Sequence, residues 1–230
     1  MIRIKNLYKK FGTNSVFENV SLNISTGSKV ALIGTNGSGK STLIKLLVGL
    51  IKPDKGDIQI LDSAPSRLAK NTVGILLAEP FYIEQFSVLE YLKFVCEFQK
   101  ISKETAQFRI DKLTFWLQLN DLSKRIKSLS TGNQMKVSII SALINDPKIL
   151  LLDEPFRSLD DEATRTIIDY LRETTKSFLI TAHSLEVVGD FCDRFIIIGK
   201  KSEVKIFDNR QEALNHMEIS KGTKKLSPLF

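Results

Sequence analysis

Glycines at positions 34, 37 and 39 stand directly ahead of Lys40, Ser41 and Thr42 in the run GTNGSGKST, which matches G-x-x-x-x-G-K-[ST] at every fixed position. The chemistry such a run serves is phosphate binding. Glycine permits backbone turns closed to residues with a Cβ, so successive N–H groups can turn inward on an anion, and the positive end of a following helix adds its pull. The expected binding set is Gly34, Asn36, Gly37, Gly39, Lys40, Ser41 and Thr42. Lys40 is placed to reach the β- and γ-phosphates of a nucleotide, and the Ser41 hydroxyl to ligate Mg2+.

A second pair of chemically capable residues, Asp153 and Glu154, directly follows the apolar run Ile149, Leu150, Leu151, Leu152. Carboxylates at the carboxyl end of a buried strand sit where ligands bind in open α/β sheets. Asp153 suits a Mg2+ partner, commonly through water, and Glu154 suits a general base that polarises a water for attack on the γ-phosphate. His183 follows another apolar strand and shares that placement.

These groups need a scaffold to bring them together, and the hydrophobic pattern supplies one. Residues 30–33 read as a buried strand feeding the loop, and Leu43, Leu46, Leu47 and Leu50 as a helix after it. Alternation around residues 2–7 and 20–24 predicts a small antiparallel sheet ahead of that strand. Short strands follow at 57–61 and 72–77, then the period turns helical. Leu89, Leu92, Phe94, Val95 and Phe98 fit one apolar helix face, and Phe108, Leu113, Trp116 and Leu117 another. Strands return at 149–152, 178–181 and 195–198 around a helix at 161–176, followed by a strand at 204–207 and a helix at 211–216. Strand–helix alternation of this kind argues for an α/β fold with a parallel, doubly wound core. Residues 1–230 are expected to form one domain, with a mostly helical insertion at about 80–147 and a polar tail at about 217–230.

Composition is that of a globular chain, with 43% hydrophobic and 26% charged residues. Cys96 and Cys192 are far apart and show no C-x-x-C spacing, which argues against a disulfide framework or a zinc site. No signal-peptide pattern and no apolar run of about 20 residues is present, so the chain is not expected to span a membrane. The net charge of +7 is compatible with a nucleic-acid partner, an anionic membrane surface or a solvated basic face. The last reading is favoured, because lysines are scattered, with only a small cluster at Lys221, Lys224 and Lys225, and no arginine-rich stripe carries interleaved aromatics.

The ordered set of motifs resembles the ATP-binding subunit of ABC transporters along nearly the whole chain. Beside the phosphate loop and Asp153-Glu154, the sequence has Leu129-Ser130-Thr131-Gly132-Asn133, similar to the family's L-S-G-G-Q signature with two changes, and Ser158-Leu159-Asp160 in the place of the D-loop. The resemblance implies a P-loop NTPase core with a small antiparallel β subdomain, ATP and Mg2+ as ligands, and hydrolysis to ADP and phosphate. It also implies a second ATP-binding subunit, identical or a paralogue, whose Ser130 and Gly132 close on the first subunit's ATP. On its own chemistry Ser130 is equally a helix-capping serine. Asp160 would couple the two sites and His183 would contact the γ-phosphate. Phe11 matches the aromatic that stacks on adenine, with Tyr8 and Phe17 as alternatives.

The implied partner is a separate transmembrane permease, which would hold the protein at the inner face of the membrane. Export is slightly favoured over import, and no direct nucleic-acid contact is expected. A soluble ABC-type ATPase acting on ribosomes or nucleic acid, and an ATP-binding switch with weak hydrolysis, are the other readings. Departures from the pattern motivate the last one. Ala78 stands where the family has a Mg2+-contacting Gln, so either Glu79 substitutes as a metal ligand or that contact is lost. Arg157 occupies a position usually held by a small polar residue.

Overall fold

The computed structural model describes residues 1–67, 72–199 and 203–220. A six-stranded sheet in the order β5-β6-β7-β3-β8-β9 forms its centre. It comprises β3 (Lys29–Gly34), β5 (Val73–Leu76), β6 (Ile149–Leu152), β7 (Ser177–Ala182), β8 (Arg194–Ile198) and β9 (Val204–Phe207). Only the last pairing, β8 with β9, is antiparallel; the others are parallel. A second, antiparallel sheet in the order β2-β1-β4 is built from β1 (Ile2–Phe11), β2 (Asn14–Ile24) and β4 (Lys55–Ile60). The expected strand at 57–61 therefore joins the N-terminal hairpin, with Ile2 opposite Ile60 and Ile4 opposite Ile58.

Side-chain alternation explains why the strands are covered on both faces. In β3, Ala31 and Ile33 enter one core while Val30 and Leu32 enter the other. The second core is the space between the two sheets. Helix α1 (Lys40–Leu47) is clamped there, burying Leu43, Ile44, Leu46 and Leu47. Because β3 is hydrogen-bonded on both sides and α1 is held between sheets, the loop joining them is fixed at both ends.

Helices α2 (Val88–Phe98), α3 (Lys103–Trp116) and α4 (Thr131–Leu143) lie between β5 and β6 in the chain. Their packing corrects the expected faces. Helix α2 buries Val88, Leu92 and Cys96, leaving Phe94 and Phe98 exposed; α3 buries Ala106, Ile110 and Thr114, leaving Phe108 exposed. Both helices carry apolar residues on more than one side, so apolar spacing alone could not select the inward face.

Helix α5 (Asp161–Glu173) stops before residue 176, because Thr174 turns extended with ψ 140°. The short α6 (Leu185–Val188) follows β7, and α7 (Arg210–Ser220) outruns the expected 211–216. Residues 221–230, including the lysine cluster and most of the expected tail, lie outside the described residues.

Candidate functional site

Three adjacent strands, β6, β7 and β3, release the chain at the same edge of the sheet. That adjacency gathers the groups that sequence spacing holds far apart: the phosphate loop after β3, Asp153 and Glu154 after β6, and His183 after β7.

In the loop, Gly39 takes φ 106° and Gly37 φ 77°, the left-handed region that disfavours side chains. Gly39 is also crowded from outside, since a Cβ there would stand 2.8 Å from Val16 Cγ1 and 3.0 Å from the Phe17 ring. The hairpin β1–β2 thus braces the loop, and Phe17 belongs to the core rather than to a stacking surface. Phe11 is about half exposed at the end of β1, with the Lys9 ammonium 5.3 Å from its ring centroid; Tyr8 carries Lys55 at 5.8 Å.

Lys40 is buried. Its Nζ donates to the carbonyls of Gly34 (2.8 Å) and Thr35 (3.2 Å), using two of three ammonium hydrogens. Burial pushes the Lys40 ammonium below its ordinary value of 10.5, against the pull of Glu154 and then Asp153. The lysine therefore feels both acids that follow β6, two strands away in the sheet. Ser41 and Thr42 occupy the first turn of α1, and Asn36 is exposed at the rim.

Asp153 is 1% exposed, and its Oδ1 accepts a hydrogen bond from the Thr181 hydroxyl at 2.7 Å. The same hydroxyl oxygen accepts from the Glu154 N–H at 2.9 Å. Thr181, at the end of β7, thus sets the positions of both acids, and sequence reasoning passed over it. The available signal was a threonine interrupting the apolar run that ends the strand. Glu154 itself sits at φ 52°, unusual for a residue with a Cβ, and its Oε1 lies 3.0 Å from His183 Nε2. Asn36, Glu154, Phe156, Arg157, Thr181 and His183 line a cleft of about 620 Å3.

Ser130 and Gly132 do not line that cleft. Ser130 caps α4, its Oγ accepting from the Asn133 N–H at 3.3 Å. Asp160 caps α5, its Oδ1 accepting from the Ala163 N–H at 2.7 Å, and its other oxygen pairs with Lys136 of α4 at 3.4 Å. A Cβ on Gly132 would stand 2.7 Å from the Ser158 carbonyl oxygen. The start of α4 and the 158–160 turn are consequently one packed unit, a link that sequence reading did not supply.

Glu79 is exposed. Among the described residues no cluster of three or more His, Cys, Asp or Glu side chains could hold a metal. A Mg2+ ion is commonly held by one or two carboxylates, with water and phosphate oxygens completing its shell. Asp153 fits such a role: it is buried beside a lysine, and Thr181 is its one hydrogen-bond donor among the described side chains. The loop after β5 remains tied to α4 despite Ala78. The Tyr82 hydroxyl donates to the Gln134 carbonyl at 2.7 Å and lies 2.5 Å from Ser138 Oγ. Burial pushes that hydroxyl up to about 12.

A phosphate loop at the end of a central parallel strand, with two acids and a histidine on the neighbouring strand ends, defines a P-loop nucleoside triphosphatase. The comparisons narrow the class. The ABC transporter family profile matches residues 17–157. The lantibiotic transport ATP-binding protein SrtF of Streptococcus pyogenes is 33% identical over 225 residues, covering 94% of this chain and 96% of that protein. A sulfate/thiosulfate import ATP-binding protein, CysA of Synechococcus elongatus, is 31% identical over 221 residues, covering 90% of this chain and 64% of that protein. Among solved structures, a dimeric post-hydrolysis state of the ATP-binding cassette MJ0796 bound to ADP and Pi superposes with TM-score 0.81 at 27% identity, covering 91% of this chain and 99% of that one. The chain belongs to the ABC transporter family, as an ATP-binding and ATP-hydrolysing subunit.

Proposed function

We propose that the chain powers transport by a separate membrane permease, hydrolysing ATP at a site completed by a second ATP-binding subunit. The observation that carries this reading is the Thr181 clasp: one hydroxyl holds Asp153 and the backbone of Glu154 beside the lysine of the phosphate loop. In this reading the loop amides and Lys40 bind the β- and γ-phosphates, and Phe11 offers its exposed face to adenine. Ser41 and Asp153 would hold Mg2+, which supplies charge neutralisation to the phosphates when bound. Glu154 takes the proton of the attacking water, and His183 passes from Glu154 to the γ-phosphate.

The α4 N-terminus, with Ser130 and Gly132, is assigned to the ATP of the partner subunit, and Asp160 ties it to the 158–160 turn. The packing of Gly132 against the Ser158 carbonyl, which joins the α4 N-terminus to the 158–160 turn, supports this assignment. So does the dimeric state of MJ0796. No helix of the described residues is long and apolar enough to cross a membrane, and in this reading the transmembrane path is supplied by the permease. The protein would then sit at the inner face of the membrane through that permease. Export is favoured on overall resemblance, and the permease recovered decides the direction, since a lantibiotic transport protein and a sulfate importer match at 33% and 31% identity.

Purification from membranes of the native host, with the tagged chain as bait, is expected to recover a multi-span membrane protein in stoichiometric amount. Saturable binding to ribosomes or DNA, with no membrane protein recovered, would overturn the assignment.

A further inference from the structure

We infer that Arg157 is a positioning residue for Glu154, holding the carboxylate in line while its other oxygen is open to water. The inference rests on the hydrolytic role proposed above for Glu154. After β6 the chain makes a tight turn bracketed by two left-handed residues, Glu154 (φ 52°) and Ser158 (φ 64°). The Arg157 N–H donates to the Glu154 carbonyl at 3.1 Å, which closes the turn and puts both side chains over the same cleft. Phe156 anchors it from below, edge-on to Phe191 with ring centroids 6.4 Å apart.

The two side chains that reach Glu154 take different oxygens. His183 Nε2 lies 3.0 Å from Oε1, and Arg157 Nη1 lies 4.0 Å from Oε2. A carboxylate that accepts a proton from water needs one oxygen open to that water, and in the proposed cycle the imidazole leaves Oε1 for the γ-phosphate, which opens that oxygen. Once it does, a glutamate side chain with three rotatable bonds loses its closer restraint. The guanidinium on Oε2 remains. In ion-pair range at 4.0 Å, it attracts one oxygen and leaves the other clear. The Arg157 side chain is 59% exposed against 19% for Glu154, so it reaches in from the rim and its replacement removes little packing. This also accounts for an arginine where a small polar residue was expected.

The test is steady-state ATP hydrolysis by Arg157→Ala, Arg157→Lys and Glu154→Gln, each checked by thermal melting. The exposure of Arg157 predicts a melting temperature for both Arg157 variants close to that of the parent. Arg157→Ala is expected to lower kcat roughly three- to tenfold, the scale of an exposed ion pair, with little change in KM for ATP, and Arg157→Lys to recover part of the loss. An unchanged kcat in Arg157→Ala, with Glu154→Gln inactive, overturns the role of Arg157 alone. A raised KM at unchanged kcat also overturns it, since the guanidinium would then be meeting the nucleotide and not Glu154. Full activity in Glu154→Gln would instead remove the hydrolytic reading on which the inference rests.

Discussion

Replacing Thr181 by valine keeps the shape of the side chain and removes the one oxygen that joins the two acids. The hydroxyl donates to Asp153 Oδ1 at 2.7 Å and accepts from the Glu154 N–H at 2.9 Å, and both Thr181 and Asp153 are 1% exposed. A hydrogen bond to a charged partner contributes about 1.5–3 kcal/mol, and a buried amide left without an acceptor costs about 1–3 kcal/mol. Water entering from the adjoining cleft offsets part of the sum, so the expected loss is about 2–4 kcal/mol. For a chain of this size that corresponds to a fall in melting temperature of roughly 5–15 °C. Thr181→Ser keeps the hydroxyl and loses one methyl group, for about 1 kcal/mol. Urea and thermal unfolding of the two variants separate the contributions, and ATP hydrolysis should fall in the valine variant beyond what its stability explains, because Glu154 loses its backbone tether. A valine variant within about 0.5 kcal/mol of the parent, or no less stable than the serine variant, would refute the clasp.

Gly132→Ala puts a Cβ 2.7 Å from the Ser158 carbonyl oxygen, so the 158–160 turn must move; alanine is favoured over glycine in a helix by about 1 kcal/mol, so melting should change little while hydrolysis falls. Lys40→Met should lose ATP affinity by tens- to hundredfold in calorimetric titration, from the loss of charged hydrogen bonds of about 1.5–3 kcal/mol each. Its melting temperature should hold, because burial already disfavours the Lys40 charge. Asp146 is held below its usual 3.8, chiefly by the hydrogen bond from Lys176 at 2.5 Å, so it stabilises the fold above the unfolded-state value and that contribution is lost as pH falls through the lower folded-state value. Asp146→Asn should therefore cost about 0.5 kcal/mol at neutral pH, since the Asp146 side chain is largely exposed, and the gap from the parent should shrink in urea titrations below about pH 4.

How far the sequence carried depended on whether a feature is local. The phosphate loop was legible because glycine, lysine and serine at fixed offsets encode a backbone shape, and Gly39 at φ 106° takes a conformation that the residue type itself permits. Asp153 and Glu154 were legible because they break a run of four apolar residues. Thr181 was not, since a threonine ending a strand is common and its value comes from β6 lying beside β7. The Lys136–Asp160 pair was hidden for the same reason, its members being separated in sequence and joined only by the packing of α4 on the 158–160 turn. The exposed Phe94, Phe98 and Phe108 misled the helix-face reading, because hydrophobicity was taken for burial where each helix presents apolar residues on two sides. Arg157 had no meaning until Glu154 was found 4.0 Å away.

The composite site is tested most directly by the mass of Glu154→Gln in sedimentation velocity, with ATP, with ADP and without nucleotide. A dimer is expected with ATP only, because binding through Lys40 and the loop survives while hydrolysis, which would reopen the pair, is blocked. A variant that stays monomeric at saturating ATP, or hydrolyses ATP at the parent rate, would contradict it.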